Sequence, residues 1–419
     1  MHYSQLYSYK KNILITKAIT FYLFSFFFLI LSFSCVPSKK VQKDILETRA
    51  KRNSIRVLIN EAEQIRLYIK NKFRIFNEDN QKLIIGENSE IIFSLSSSKV
   101  KLKYKENVYS SEYFKIYPLN EKFLTINKKR YRGSLKIINN NSKLSLINTL
   151  DLEDYLKGVI LKEMPLGKGT DNLEALKAFI IVARTYAIAK ISEGKKIFDI
   201  YPDIRDQIYD GLDAENAIIN KLIEITKGKI LYYKNDIAKV FYHSTCGGYT
   251  ESVENVFNHS SLPYLKSLAD GNLPNCKISP KYKWEKIFTK EMIINNLFEA
   301  NLITDKNFIL KNLKIIRRFK SGRIKELKLY IKRKDKLQEI SLFSNNIRYI
   351  LKDTDNNILP SSNFEIFENE NNTVKFKGKG FGHGVGLCQW GSIYLSNIGT
   401  NYIDIIQHYF PETEIKVYD

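Results

Sequence analysis

The sequence predicts an α+β fold, in which a strand-rich first part is followed by a central block of helices and then by further strands. Three observations carry this reading. Val100, Leu102 and Tyr104 alternate with Lys99, Lys101, Lys103 and Lys105, the period of a strand with one wet face. Between Asp151 and Gly228 the apolar residues fall instead at helical spacing, with Leu173, Leu176, Phe179, Ile180, Ala183 and Ala187 on one long helix. Alternation then returns at Ile324–Lys332, where Leu327, Leu329 and Ile331 are interleaved with Lys328, Tyr330 and Lys332. Strands gathered on either side of a helical block suit an α+β domain better than a parallel βαβ array.

Taken in order, residues 1–35 read as an export segment. Lys10, Lys11 and Lys17 precede an apolar run from Ala18 to Phe33 that ends at Ser34-Cys35. A basic region, an apolar stretch and small residues before a cleavage point describe a signal peptide. Cys35 at the new N-terminus would carry the lipid of a bacterial lipoprotein, and an uncleaved anchor is the alternative. Both place the remainder outside the cytoplasmic membrane, tethered in the cell envelope, and so remove nucleic acid as a partner. Residues 36–54 form a polar, basic tether. Residues 55–148 are strand-rich, with Ile55–Ile59 and Leu135–Leu146 as further candidates, and residues 149–411 hold the core that carries the chemistry.

Asp151 is an N-cap with Asp154 at the reciprocal capping position, opening a helix from Leu152 to about Leu161 that Met164-Pro165 breaks. The long helix starts at Thr170 or Asp171 and ends at Ser192, with Gly194 as its stop. A third spans Ala214–Thr226 before Gly228, and Ile230–Tyr233 and Lys239–His243 are strands. With 44% hydrophobic and 26% charged residues among 419, wholesale disorder is excluded, and four cysteines exclude a disulfide-dense scaffold. The net charge of +21 is spread along the chain with Ile and Asn and reads as compositional background.

Three stretches carry polar groups suited to chemistry. Glu163 ends a helix at Glu163-Met164-Pro165, facing the negative pole of the helix dipole, which raises its pKa toward what a general acid needs. His243-Ser244-Thr245-Cys246-Gly247-Gly248 leaves a strand into a glycine turn. The run Gly378 to Gly391 has five alternating glycines around His383, followed by Gln389 and Trp390. It lacks the lysine and serine of a nucleotide-binding loop, so a nucleotide site is not expected there. His and Gln supply polar contacts there, and Trp390 a face on which a sugar can stack.

These residues, in this order, resemble the SpoIID/LytB family of bacterial cell-wall proteins. The likeness runs through Asp151 to Val159, Glu163-Met-Pro, Glu174 to Ala178 and Ala183-Arg-Thr-Tyr-Ala. It continues through Gln207 to Gly211, the His243–Gly248 turn, Pro263-Tyr-Leu, Ser321-Gly-Arg323, Leu359 to Phe364 and Gly382 to Gly391. The resemblance covers roughly Ile55 to Pro411 and implies a SpoIID-like fold acting on peptidoglycan glycan strands as a lytic transglycosylase, with Glu163 as its single acid and base. It also implies a functional Arg184 with Lys177 a turn or two away, the plain alternative for Arg184 being a salt bridge to Glu174 or Asp154. His383 and Gln389 are expected to line the glycan cleft, with Tyr186, Ser244 and Trp390 as further contacts. Glu174 itself reads as a helix-cap partner. Three extra residues within Leu166–Asn172 separate Glu163 from the long helix, a departure from the sporulation members. Some relatives instead stimulate a cell-wall amidase, so an amidase is the competing partner.

With Cys35 given to lipid, Cys246, Cys276 and Cys388 remain. Cys246 and Cys276 are read as a disulfide, worth about 3–4 kcal/mol by loop closure, or as free thiols. Zinc on His243, Cys246, Cys276 and Cys388 is the less favoured alternative, because the spacing lacks paired Cys-x-x-Cys ligands, and no cofactor is expected. A Cys388–His383 nucleophilic dyad lacks an orienting partner.

Overall fold

A computed structural model describes residues 53–167, 171–194, 197–369 and 372–418. The export segment, Cys35 and nearly all of the tether lie outside these residues. Among the described residues no helix is long and apolar enough to cross a membrane.

The first hundred described residues build two six-stranded sheets. One holds, in spatial order, Ser54–Ala62, Lys143–Asp151, Ser134–Asn140, Tyr113–Pro118, Phe73–Phe76 and Lys82–Gly86. The other holds Lys129–Arg132, Phe123–Ile126, Gln64–Ile69, Ser89–Ser96, Lys99–Tyr104 and Asn107–Ser111. Their alternation is as expected: along Lys99–Tyr104 the lysines are exposed while Val100, Leu102 and Tyr104 are buried. The single strand expected over Leu135–Leu146 is a hairpin instead. Asn141 and Ser142 both take positive φ, 50° and 64°, the two-residue turn that matches strand twist.

The strand Lys143–Asp151 runs directly into the helical block. Asp151 caps the helix Leu152–Lys157 by accepting from the Glu153 and Asp154 amides. Asp154 does not reciprocate; its carboxylate takes Lys157 at 2.7 Å and lies 3.9 Å from Arg132. The expected single helix breaks at Gly158, where an added Cβ would meet the Tyr209 ring at 2.6 Å, and resumes as Ile160–Glu163. The long helix spans Leu173–Ser192 and is buried along most of its length, which its alanines allow. The third helix is Ala217–Ile225, capped by Asn216, with a 3₁₀ turn over Gly211–Ala214 before it. Both N-terminal sheets and all of these helices share one hydrophobic core, so the chain has no core boundary at residue 148.

Residues Lys283–Lys379 bury a second core around Phe288, Leu327, Leu329, Phe364 and Phe376. Two three-stranded sheets form it, one ordered Lys283–Thr289, Thr373–Lys379, Phe364–Asn369, the other Ile309–Arg318, Ile324–Arg333, Lys336–Phe343, with the helix Lys290–Glu299 packed nearby. The chain then returns to the first core through the glycine run and the helices Gln389–Asn397 and Tyr402–Tyr409. The strand expected over Lys239–His243 is only Tyr242–His243; it pairs in parallel with Leu387–Cys388, Tyr242 opposite Leu387 and His243 opposite Cys388.

Candidate functional site

Glu163 is half-buried at the end of its short helix. Its carboxylate accepts a 2.7 Å hydrogen bond from the Ile208 amide, which fixes it against the loop that follows the long helix. Burial raises its pKa, and the Ile208 N–H and the Tyr242 hydroxyl draw it partly back. The direction is the one expected, but a single helical turn has little dipole and desolvation is the main cause.

Aromatic hydroxyls and one amide ring this carboxyl. The Tyr242 hydroxyl is buried without a hydrogen bond of normal geometry and faces Glu163 and the Gln207 amide. Tyr155 donates to Gln207 Oε1 at 3.1 Å, and Gln207 Nε2 lies 3.4 Å from the Ala183 carbonyl. The Tyr186 ring lies 6.4 Å from that of Tyr242, its hydroxyl bonded to Asp206 at 2.6 Å. Asp206 also binds Lys190 at 3.0 Å and the Tyr201 amide, so three donors tie it down. Sequence reasoning missed Tyr242, reading it as one more strand residue, and saw Gln207 and Ile208 only as motif.

Arg184 lies enclosed within the helical block. It has no exposed surface, and its guanidinium grips Glu153 through two bonds, 2.9 and 2.8 Å, and the Lys229 carbonyl at 3.1 Å. Its partner is Glu153, neither Glu174 nor Asp154. Lys177 pairs with Glu174 at 2.5 Å, while the other oxygen of Glu174 accepts from the Tyr402 amide at the start of another helix. Glu174 therefore joins two helices, and Lys177 braces it from its own helix.

The glycine run is also a packing device. His383 Nδ1 accepts from the Val385 amide at 3.0 Å, the Tyr242 carbonyl takes its other nitrogen, and its ring packs on Phe257 and His243. With both nitrogens engaged it pins two segments together, and it keeps part of its surface exposed. A Cβ on Gly384 would meet the Arg323 guanidinium at 2.3 Å. Gln389 is buried at the start of its helix. Trp390 and Ser244 are half-buried neighbours, joined by a 3.1 Å bond from the Trp390 amide to the Ser244 carbonyl.

Of the two favoured readings of Cys246 and Cys276, disulfide or free thiols, the structure has the thiols. Cys246 and Cys276 are free, with sulfurs 3.3 Å apart against about 2.0 Å for a disulfide. Cys388 and Asp270 complete a group whose four ligand atoms all lie within 4.8 Å of one another, all four residues buried. His243 is not among them. Its Nδ1–H donates to the Val385 carbonyl at 3.1 Å, its Nε2 is buried without a partner, and burial beside Arg323 pushes it down to about 3. Burial and the neighbouring Cys276 push Asp270 up to about 7. Cys276 is held below the usual thiol range by bonds from Cys246 and Cys388, and burial pushes those two up. Three sulfurs and a carboxylate at this spacing are a donor set that suits a thiophilic divalent ion.

The fold and this acid site define the class, an α+β protein with one raised carboxyl set among tyrosines at the end of a short helix. A family model described as stage II sporulation protein matches residues 140–233, and a domain of unknown function matches 274–386. An uncharacterized protein of Brachyspira hyodysenteriae is 29% identical over 375 residues, 88% of this chain and 95% of the relative. The amidase enhancer of Bacillus subtilis is 30% identical over 300 residues, 63% of this chain and 40% of the enhancer's own length. Stage II sporulation protein D of the same organism is 28% identical over 289 residues, 65% of this chain and 76% of the relative. Residues 140–233 thus carry the SpoIID family's domain, and the chain is similar to the proteins of the SpoIID/LytB family.

Proposed function

We propose that this protein is an exported, membrane-tethered lytic transglycosylase that cleaves peptidoglycan glycan strands with Glu163 as its one acid and base. The observation that carries the reading is the state of that side chain. A half-buried carboxyl whose pKa burial raises, held in place by the Ile208 amide, is the kind of group that serves as a general acid.

The chemistry needs only one such group. Glu163 donates its proton to the bridging oxygen as the bond from the muramic acid C1 to that oxygen breaks. The muramic acid's own C6 oxygen then bonds to C1, and its proton passes to the Glu163 carboxylate. The acid is restored, no water is consumed, and a 1,6-anhydro end results. A hydrolase would employ a second carboxylate to activate water or attack C1. Asp206, the nearby candidate, is occupied by Tyr186, Lys190 and the Tyr201 amide, which favours the single-acid route.

The amidase-enhancer relative supports a second reading, a wall-binding stimulator of a cell-wall amidase. Digestion of purified glycan strands separates the two. The proposal expects 1,6-anhydromuramyl ends that vanish with Glu163→Gln while the fold is kept. Reducing ends would indicate hydrolysis, and binding without cleavage the enhancer. Labelling with radioactive fatty acid, lost on Cys35→Ala, tests the lipid tether.

A further inference from the structure

We propose that Cys246, Asp270, Cys276 and Cys388 bind one structural zinc-class ion, which clamps both ends of the Lys283–Lys379 lobe to the rest of the molecule. The four come from three separate stretches of chain. Cys246 and Asp270 lie between the two family-model matches, Cys276 just inside the start of the second, and Cys388 just beyond its end.

The spacing suits a single ion. Tetrahedral zinc with sulfurs at about 2.3 Å holds each pair about 3.8 Å apart. Here every ligand atom lies within 4.8 Å of the others, with Cys246 and Cys276 at 3.3 Å. An iron–sulfur cluster spreads its ligands over several metal atoms and needs more room.

The surroundings are those of a ligand set too. The Cys246 amide donates to Cys388 Sγ at 3.2 Å, the Gly248 amide to Cys246 Sγ at 3.4 Å, and the Gly247 amide faces Cys276 Sγ. Asp270 accepts from the Tyr409 hydroxyl at 2.6 Å and the Cys276 amide at 2.9 Å. Each ligand thus has an outer donor that orients it and supports its charged form, as metal ligands require. Arg323, buried beside the group and bonded to the Cys246 carbonyl at 2.7 Å, offsets the surplus negative charge of three thiolates and a carboxylate around a divalent ion. Arg323 comes from the lobe, and its neighbour Ser321 bonds the buried Glu251. The lobe is therefore docked beside the very residues the ion would join.

The site is also set apart from the acid. Successive strand residues point to opposite faces, so Tyr242 and its partner Leu387 lie on the Glu163 side of the two-strand ribbon while His243 and Cys388 lie on the other. The ion therefore supports the ribbon and takes no part in the glycan chemistry.

The test uses the full chain in detergent, purified with reductant and without chelator. Elemental analysis is expected to give one zinc per chain, with the three buried thiols unreactive toward a thiol reagent until a strong chelator removes it. Exchange with cobalt alone is expected to produce thiolate-to-metal absorption and the visible bands of a tetrahedral site. Tyr409→Phe, which removes an outer donor only, is expected to weaken zinc about 10–100-fold. Asp270→Asn keeps the thiolate–cobalt absorption but weakens binding. A chain that holds no metal and takes up none on titration overturns the proposal. So does a mass two hydrogens lighter with Cys246 and Cys276 cross-linked, or cobalt spectra that Asp270→Asn leaves unchanged at unchanged affinity. The wild-type measurements stand whether or not the variants fold.

Discussion

Tyr242 and Glu163 face each other where the helical block meets the C-terminal ribbon, and the tyrosine is placed there by its parallel pairing with Leu387. The acid and the glycine run are therefore coupled through one side chain. Burial raises the carboxyl while Tyr242 and the Ile208 amide lower it, and burial wins.

That balance predicts the pH dependence of stability. The folded pKa of Glu163 lies above the unfolded value of about 4.3, so its contribution is fully present below that value and is eroded as pH rises through the folded pKa. Glu163→Gln removes the ionising group and still offers an oxygen to Ile208. Thermal melts are expected to show the variant as stable as the parent near pH 4 and more stable at pH 7. Equal destabilisation at both values would mean that the charged form is the one the fold holds.

Tyr242→Phe tests the other half of the relationship. Losing the hydroxyl removes an influence that lowers the Glu163 pKa, so the alkaline limb of the glycan-cleavage profile is expected to move to higher pH. The hydroxyl makes no hydrogen bond of normal geometry, so stability should change by less than about 1 kcal/mol. A profile that stays in place would remove Tyr242 from any role in tuning the acid.

Arg184→Met separates structure from chemistry in the opposite sense. It strands Glu153 and the Lys229 carbonyl inside the protein, at an expected cost of about 3–5 kcal/mol. Cleavage per folded molecule should be unchanged. Denaturant titration with Glu153→Gln in a double-mutant cycle measures the pair, and strong loss of kcat at full stability would return Arg184 to the site.

Much of this could be read in advance, for reasons that differ from element to element. Lys99–Tyr104 was legible because one wet face imposes period two, and Leu173–Ser192 because its small residues recur at helical spacing. The Asn141-Ser142 turn was hidden because both residues tolerate positive φ without glycine to announce it. The short strand Tyr242–His243 owes its bounds to one partner, Leu387–Cys388, far along the chain. The end of the short helix at Glu163 was legible because Met164-Pro165 follows it, while the role proposed for Glu163 came from its place in the family-like Glu-Met-Pro motif. The Glu153 partner of Arg184 was not legible, because a motif arginine reads alike whether it meets substrate or a carboxylate of the fold. Asp270 had no local pattern at all; only the fold brings it to the three cysteines.

Gly386 offers a test of the coupling between the glycine run and the acid. It has φ of +72°, and a Cβ there would sit 2.1 Å from the Phe241 carbonyl oxygen, the acceptor for the Leu387 amide at 3.0 Å. Gly386→Ala therefore adds backbone strain of about 1–2 kcal/mol and also forces apart the seam that sets Tyr242 against Leu387. Gly399 is the control, since its φ is +89° but nothing lies within 4 Å of an added Cβ. Gly399→Ala is expected to pay only the backbone strain and to keep cleavage per folded molecule. Gly386→Ala is expected to lose more stability than the control and, in the fraction that folds, to lose cleavage as Tyr242 shifts from Glu163. If the two variants melt alike and cleave alike, the ribbon does not govern the acid, and the glycine run serves packing alone.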